Sequence, residues 1–201
     1  HGANVETPNN NGRTPVYIAA WKGHAEAVRV LAELGANIET PDNDGHTPVW
    51  IAAHEGNVEV VRVLGELGAD LNTPDIEGDT PIHIASAWGH AEVVKVLGEL
   101  GANLNTAGKD ADTPAFIAAA NDNAEVVRVL GELGANLDTP HEDQSGITPV
   151  YIAAQNGNVE VVKVLGELGA DLNVPAGTIG ITPAFIAAQE GHTEVVKVLG
   201  D

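Results

Sequence analysis

The sequence predicts an all-α solenoid, a row of helix–turn–helix repeats joined by hairpin-like loops. Three observations predict it. A Thr-Pro pair opens a helix-like segment six times, at Thr14, Thr47, Thr80, Thr113, Thr148 and Thr182, in steps of 33, 33, 33, 35 and 34 residues. Each pair is followed by two apolar runs of helical spacing, separated and closed by turn-forming residues. A unit of ~33 residues is too small to bury its own core, so neighbours must stack. Nearly all of the 201 residues fall inside such units. The chain therefore reads as one domain over 1–201, with about six repeats. It opens on a partial hairpin, and its last repeat breaks off at Gly200-Asp201.

The second repeat shows why each element is expected. Thr47 is a good N-cap, and Pro48 suits the first helical position, where no hydrogen-bond donor is lost. The apolar stretch Val49–Ala53 follows, and Gly56 supplies the left-handed residue that closes a helix. A second helix starts near Val58, with Val60, Val61, Val63 and Leu64 at helical spacing, and Gly68 stops it. Residues 69–78, rich in Asn, Asp, Pro and Gly, form a turn or hairpin. The second helices carry Gly65, Gly98, Gly131 and Gly166, where a helical glycine costs about 1 kcal/mol against alanine. Their recurrence points to close helix approach, or to Leu34, Leu67, Leu100, Leu133 and Leu168 filling the core instead. The fourth repeat is irregular. Ala111 replaces the hairpin glycine and Asp122-Asn123 replaces the Gly-His turn, which survives because Asp and Asn tolerate left-handed backbone. The next two hairpins are longer, by two residues in 141–147 and by one in 175–181, as expected of surface loops.

The helix openings read TPVYIAA at Thr14, TPVWIAA at Thr47, TPIHIAS at Thr80, TPAFIAA at Thr113, TPVYIAA at Thr148 and TPAFIAA at Thr182. A G-A-[DN] ending follows at Gly35, Gly68, Gly101, Gly134 and Gly169. This pattern resembles the ankyrin repeat, whose T-P-L-H-x-A motif recurs at the same period. The resemblance covers the whole chain. It implies a curved solenoid of antiparallel helix pairs, hairpins projecting to one side, and protein recognition on a concave face rather than catalysis. The family's histidine, which the resemblance ties to local hydrogen bonding and to the neighbouring repeat, is kept only at His83. Tyr17, Trp50, Phe116, Tyr151 and Phe185 occupy that register elsewhere, five of the seven aromatics in the chain. They are expected to form an internal stacking ladder, the sharper alternative being an aromatic stripe for a ligand.

Charge narrows the function. Against 29 acidic side chains stand 9 basic ones, a net charge of -20, which argues against DNA or RNA as a direct ligand. No apolar run reaches the ~18 residues of a membrane span, and no basic-then-apolar signal segment opens the chain. The absence of cysteine excludes disulfides, thiolate metal sites and a cysteine nucleophile. Much of the charge forms a ladder on the second helices: Glu26/Arg29/Glu33, Glu59/Arg62/Glu66, Glu92/Lys95/Glu99, Glu125/Arg128/Glu132, Glu160/Lys163/Glu167 and Glu194/Lys197. Spacings of three and seven residues put these on one solvated face, with bases able to bridge to the next repeat's acids. Outside the ladder only Arg13, Lys22 and Lys109 face 18 acids. Many of those acids would edge the groove that the resemblance implies, among them Asp42, Asp44, Glu55, Asp75, Glu77, Asp79, Asp110, Asp112, Glu142, Asp143 and Glu190. Such a surface favours a basic partner, and the same acidity keeps a solenoid soluble and monomeric.

By the resemblance, partner contacts fall on the hairpin tips and the end of each first helix. In the first repeat these are Asn10, Asn11, Arg13, Trp21 and Lys22. They continue as Asn43, Asp44, His46, His54 and Glu55, then Ile76, Glu77, Asp79 and Trp88. The fourth repeat offers Lys109, Asp110, Asp112 and Asn121, and the last two Gln155, Asn156, Gln189 and Glu190. These positions vary from repeat to repeat inside a fixed frame. Trp21 and Trp88 are the anchor candidates, since tryptophan is enriched at binding hot spots; packing against a neighbouring helix is the alternative for each. Catalysis lacks material: the only serines are Ser86, at a core alanine position, and Ser145, in a loop, with no histidine adjacent to either. No H-x-x-x-H or H-E-x-x-H pair occurs. Asp42-Asn43-Asp44-Gly45 resembles the start of a Ca²⁺ loop but lacks the closing bidentate glutamate, and the same residues are good turn formers. The sequence thus predicts a non-enzymatic protein-interaction module without metal or cofactor, binding a protein or peptide. The rival reading is a consensus-like, engineered or structural spacer array with no dedicated ligand, which would lose nothing on Trp21→Ala or Trp88→Ala.

Overall fold

The computed structural model describes residues 4–141 and 146–200. Twelve α-helices occur among them: α1 (Pro15–Trp21), α2 (Ala25–Glu33), α3 (Pro48–His54), α4 (Val58–Glu66), α5 (Pro81–Ala87), α6 (Ala91–Glu99), α7 (Pro114–Ala120), α8 (Ala124–Glu132), α9 (Pro149–Asn156), α10 (Val159–Glu167), α11 (Pro183–Glu190) and α12 (Thr193–Gly200). They pair as the repeat predicts, two helices to each repeat. No described helix is long and apolar enough to cross a membrane.

The first helix of a repeat starts where it does for a local reason. The threonine Oγ1 accepts the N–H three residues on, as in Thr14 to Tyr17 (3.2 Å), Thr47 to Trp50 (3.3 Å) and Thr113 to Phe116 (3.2 Å), and proline follows in the first turn. Where histidine is kept, the roles change. The Thr80 N–H donates to His83 Nδ1 (3.1 Å), and the Thr80 hydroxyl lies 2.8 Å from the same nitrogen. The irregular fourth repeat keeps its turn: Asp122 sits at φ 60°, in the register where Gly23, Gly89 and Gly157 are also left-handed. In its hairpin, Asp110 (φ 58°) and Ala111 (φ 65°) both take left-handed backbone within a short turn, Lys109–Ala111. The connecting loops are turns rather than β-ladders; the one isolated bridge among the described residues joins Ala176 and Ile181 in the last, lengthened hairpin.

The chain divides into two compact units. The first is His1–Ala85 with Glu92–Asn103, the second Ser86–Ala91 with Leu104–Asp201. Within the first, α1 packs on α3 and α2 on α4. Its core holds Val16, Ala20, Val28, Val49, Val60, Val61, Leu64, Ile82, Val94 and Leu97, all buried. Within the second, α7 packs on α9 and α9 on α11, while α8 packs on α10 and α10 on α12. Val126, Val127, Leu130, Val150, Val161, Val162, Leu165 and Val195 are buried there. Each such side chain contributes about 1.5–3 kcal/mol relative to exposure, and most of the core is made where one repeat meets the next.

Polar locks fix the register between repeats. The Asn57 amide donates to the Ala20 and Trp21 carbonyls at the end of the preceding first helix (2.9 and 3.0 Å). Asn123 does the same to Ser86 and Ala87 (2.8 and 3.1 Å), Asn158 to Ala119 (2.8 Å), and His192 Nε2 lies 2.9 Å from the Gln155 carbonyl. A second ladder runs along the loops. A side-chain oxygen accepts the backbone N–H at the start of the next repeat's loop: Glu6 from Asn37, Glu39 from Asp70 (2.7 Å), Asn72 from Asn103 (2.8 Å), Asn105 from Asn136 (2.7 Å) and Asp138 from Asp171 (2.9 Å). Hairpin tips join by main chain, Asn43 N–H to the Asn11 carbonyl (3.1 Å) and Ile76 N–H to that of Asp44 (3.3 Å).

Two of the helical glycines are explained. A Cβ on Gly65 would lie 2.6 Å from Leu100 Cδ1, and one on Gly131 2.6 Å from Leu168 Cδ1. At these two positions the expectations are one arrangement, in which a leucine ending one second helix lies over the glycine of the repeat before; at Gly166 the nearest atom is instead Leu172 Cδ1, at 3.3 Å. Leu34 (65 % exposed) and Leu67 (37 % exposed) depart from the core-filling expectation and stay at the surface. The charge ladder forms as expected, both within a helix (Lys163 to Glu160, 3.3 Å) and between repeats (Arg29 to Glu66, 3.7 Å; Arg128 to Glu167, 3.0 Å). Being exposed, each pair contributes at most about 1 kcal/mol.

Candidate functional site

Three positions in each repeat share one side: the residue before the threonine, the aromatic register four residues on, and the last turn of the first helix. In the first repeat they are Arg13, Tyr17 and Trp21. The Arg13 guanidinium lies 5.4 Å from the Tyr17 ring centroid and 4.9 Å from that of Trp21, and Lys22 Nζ lies 4.4 Å from Trp21. Trp21 is therefore held between two cations, an attraction of ~0.5–1 kcal/mol each at such a half-exposed site. In the second repeat His46, Trp50 and His54 form a column. His46 stacks on Trp50 at 3.8 Å between centroids, and His54 lies parallel at 5.6 Å. The Trp50 indole N–H donates to the Asp79 carbonyl of the next hairpin (3.1 Å), so this ring takes on the tie between repeats. His54 Nδ1 lies 2.8 Å from a Glu55 carboxylate oxygen.

Asp42 organises the hairpins around this column. It was expected at the groove edge and is instead buried. Its carboxylate accepts the N–H groups of Asp44 (3.0 Å) and His46 (3.1 Å), receives Arg13 Nε at 3.3 Å, and lies 3.4 Å from His46 Nδ1. Burial works to raise its pKa; the Tyr17 hydroxyl, the two N–H groups and Arg13 outweigh it and hold the group below the usual carboxylate value. Tyr17 is pushed above the ordinary tyrosine range, first by burial and then by the Asp42 carboxylate, with Arg13 opposing. Asp75 repeats the anchor, accepting from Glu77 and Asp79 (2.9 Å each). Asn9 does so in the first repeat with Asn11 (2.9 Å) and Arg13 (3.1 Å). Asp42 and Asp44, two of the four residues that resemble a Ca²⁺-loop start, lie with His46 so that three ligand-type atoms fall within 4.8 Å of one another. The turn already uses the buried carboxylate as its anchor, as turn chemistry predicts.

The second unit presents a plainer surface. His141 packs on Phe116 at 5.3 Å between centroids, and its Nε2 lies 3.0 Å from Asp112 Oδ1. The Asn121 amide caps the Ile117 carbonyl (3.0 Å) and the Asn156 amide that of Ala120 (3.1 Å). Gln189 donates to Glu190 (3.2 Å). Phe185 is 57 % exposed.

Of the predicted contact residues, Asn10, Asn11, Lys22, Asn43, Asp44, Glu55, Ile76, Glu77, Trp88, Lys109, Asp110, Asn121, Asn156, Gln189 and Glu190 are exposed. Arg13, Trp21, His46, His54, Asp79, Asp112 and Gln155 are half-buried and engaged in the contacts that shape the surface. Among the exposed ones, Trp88 (60 % exposed) and Ile76 (73 % exposed) are the large apolar side chains. Glu142, Asp143 and Ser145 lie outside the described residues. Ser86 is fully buried in the core, away from any solvent-facing chemistry. His141 was not singled out in the sequence; its position at the head of a lengthened hairpin hid its equivalence to the turn anchors.

Known proteins agree with this geometry. The model for ankyrin repeats (3 copies) matches residues 35–108 and 101–176, and that for ankyrin repeats (many copies) matches residues 1–52. Among solved structures, the crystal structure of the human ASB11 ankyrin repeat domain is similar at a TM-score of 0.80 and 30 % identity. The match covers 94 % of this chain and 83 % of that one. No curated protein sequence matches. With family matches reaching well past half its length, on helix pairs opened by Thr-Pro caps, the chain belongs to the ankyrin repeat family.

Proposed function

We propose that this chain is a protein-interaction module that holds a protein or peptide of basic character against its hairpin tips and the ends of its first helices. Ankyrin repeats are in general protein-binding modules, typically without catalysis. One observation carries the assignment to this surface: a division of labour between positions. Locks between repeats fall on fixed registers, such as Asn57, Asn123 and Asn158 or Glu39, Asn72 and Asn105. The tip and helix-end positions, exposed or half-buried, change chemistry from repeat to repeat, as a surface shaped for one partner does. The excess of acids outside the charge ladder sets the partner's sign. The test is a display screen of random peptides on the immobilised protein at ~0.15 M salt, where surface charges act over about 8 Å. Basic motifs should be enriched, and their binding lost in Trp88→Ala or Trp21→Ala with helicity intact. Selected peptides that bind both variants as well as they bind the original chain would refute the assignment.

A further inference from the structure

In the first unit an open cleft of about 500 Å³ lies between the second and third hairpins. Its walls are Pro41 and Pro74, Ile76 stands at its mouth, and Glu39, Asp70 and Asp75 line its rim. No basic side chain is part of the lining. The cleft is also poor in donors. The two prolines have no N–H. The N–H groups of Gly45, Gly68, Asp75 and Ile76 are taken by the carbonyls of Asp42, Gly65, Asp79 and Asp44, and that of Asp70 by Glu39. The Thr73 hydroxyl donates to Asp70 (3.2 Å), and the Asp75 carboxylate, 6 % exposed, is turned into its own hairpin, so what the cleft presents is apolar wall and the two carboxylates of Glu39 and Asp70.

We infer that this cleft receives an arginine side chain of a basic partner segment. The guanidinium meets the Glu39 and Asp70 carboxylates, and the aliphatic stem lies along Pro41, Pro74 and Ile76. The inference rests on the interaction-module reading and names one place where the partner's charge is read. A cation bringing several donors is what a cleft with two carboxylates, no basic side chain and its backbone donors largely engaged complements, and the planar fork of arginine suits paired carboxylates better than an ammonium does. The combination belongs to this pair of hairpins. One repeat earlier, Asn37 and Asn43 stand in place of Asp70 and Ile76; one repeat later, Ala107 and Gly108 stand in place of Pro74 and Asp75.

The test uses the full chain and a fluorescein-labelled Gly/Ser peptide with three central arginines, beside a twin carrying neutral citrulline, followed by anisotropy at physiological salt. Glu39→Gln/Asp70→Asn removes two charges while its amide oxygens still accept the Asp70 and Asn72 N–H groups. The control, Glu99→Gln/Glu132→Gln, removes two charges from the exposed ladder of the second helices. The cleft variant should bind the arginine peptide about tenfold more weakly, the control within about twofold, and the citrulline twin not measurably. Ile76→Lys, which places a cation at the mouth, should give the same loss. Equal weakening in the cleft and control variants, an unchanged cleft variant, or equal binding of the citrulline twin would overturn the inference. Screened peptides lost on Trp88→Ala but indifferent to Glu39→Gln/Asp70→Asn would remove the cleft assignment and leave the module standing. Tight arginine-specific binding in the cleft, with screened peptides indifferent to both tryptophans, would do the reverse.

Discussion

Ser86 is fully buried, and its hydroxyl has no hydrogen-bond partner. The other repeats place alanine in this register, and Ala20, Ala53, Ala119 and Ala154 are equally buried. Ser86→Ala should therefore stabilise the fold. Burying an unpaired hydroxyl costs roughly 1–3 kcal/mol by mutational measures. Alanine adds about 0.5 kcal/mol of helix propensity. Against this stands the loss of a few dispersion contacts around one oxygen, at ~0.1–0.2 kcal/mol each. The Ser86 carbonyl keeps its bond to the Asn123 amide. The net expectation is a gain of about 1–3 kcal/mol, which for a chain of this size raises the melting temperature by about 2–4 °C per kcal/mol. Urea unfolding followed by far-UV circular dichroism would read the change as a higher midpoint at unchanged slope. A midpoint that stays put or falls would mean that the hydroxyl is satisfied inside the helix, and the desolvation argument would fail.

Three further predictions follow from the backbone and the locks. Ala111→Gly relieves a left-handed alanine at ~1–2 kcal/mol of strain, offset by ~0.5–1 kcal/mol of glycine flexibility, so a small rise in urea midpoint is expected; a fall would place the strain elsewhere. Asn57→Ala removes two bonds to the preceding repeat and should destabilise by about 1–3 kcal/mol. Asn57→His should recover part of that loss, because His192 occupies the same register against the Gln155 carbonyl. Asp42 has a folded pKa held below its ordinary value, so its ionised form stabilises the fold above about pH 4, and that contribution fades as pH falls through the folded value. Asp42→Asn can still take the turn's N–H groups, as Asn9 does, and should flatten the dependence of the urea midpoint on pH in that acidic window. An equally steep profile in the variant would assign the slope to other carboxylates.

What the sequence made legible was the short-range part. Thr47-Pro48 carries its helix start in two adjacent residues, and Asp122 carries its left-handed turn in one, so both could be read without neighbours. The locks were illegible for a physical reason. Glu39, Asn72 and Asp138 share an oxygen at a similar reach and nothing else, and an inventory by charge counts two of them merely as acids and passes over the third. Asn57 and His192 share a side-chain nitrogen near one carbonyl, which neither hydropathy nor charge registers. Asp42 was misplaced by the same habit: a hairpin acid reads as exposed until the aromatic and the arginine of the preceding repeat are seen closing over it. A search for common hydrogen-bonding atoms at each register, rather than common residues, would have found all three groups. The exposure of the hairpin tips was better foreseen, because it follows from their distance to the core, whereas the half-buried columns around Trp21 and Trp50 follow from contacts between residues far apart in sequence.

The main locks share a grammar: a side chain on one repeat grips the peptide backbone of a neighbouring repeat. Asn57, Asn123 and Asn158 hold carbonyls, while Glu39, Asn72 and Asn105 hold N–H groups. Every residue other than proline carries both backbone groups, so such a grip asks nothing of its neighbour's side-chain identity. A repeat fastened this way can be duplicated, deleted or shuffled along the chain and still find its handholds. Each can then accumulate changes at its tip without renegotiating the joint beneath it.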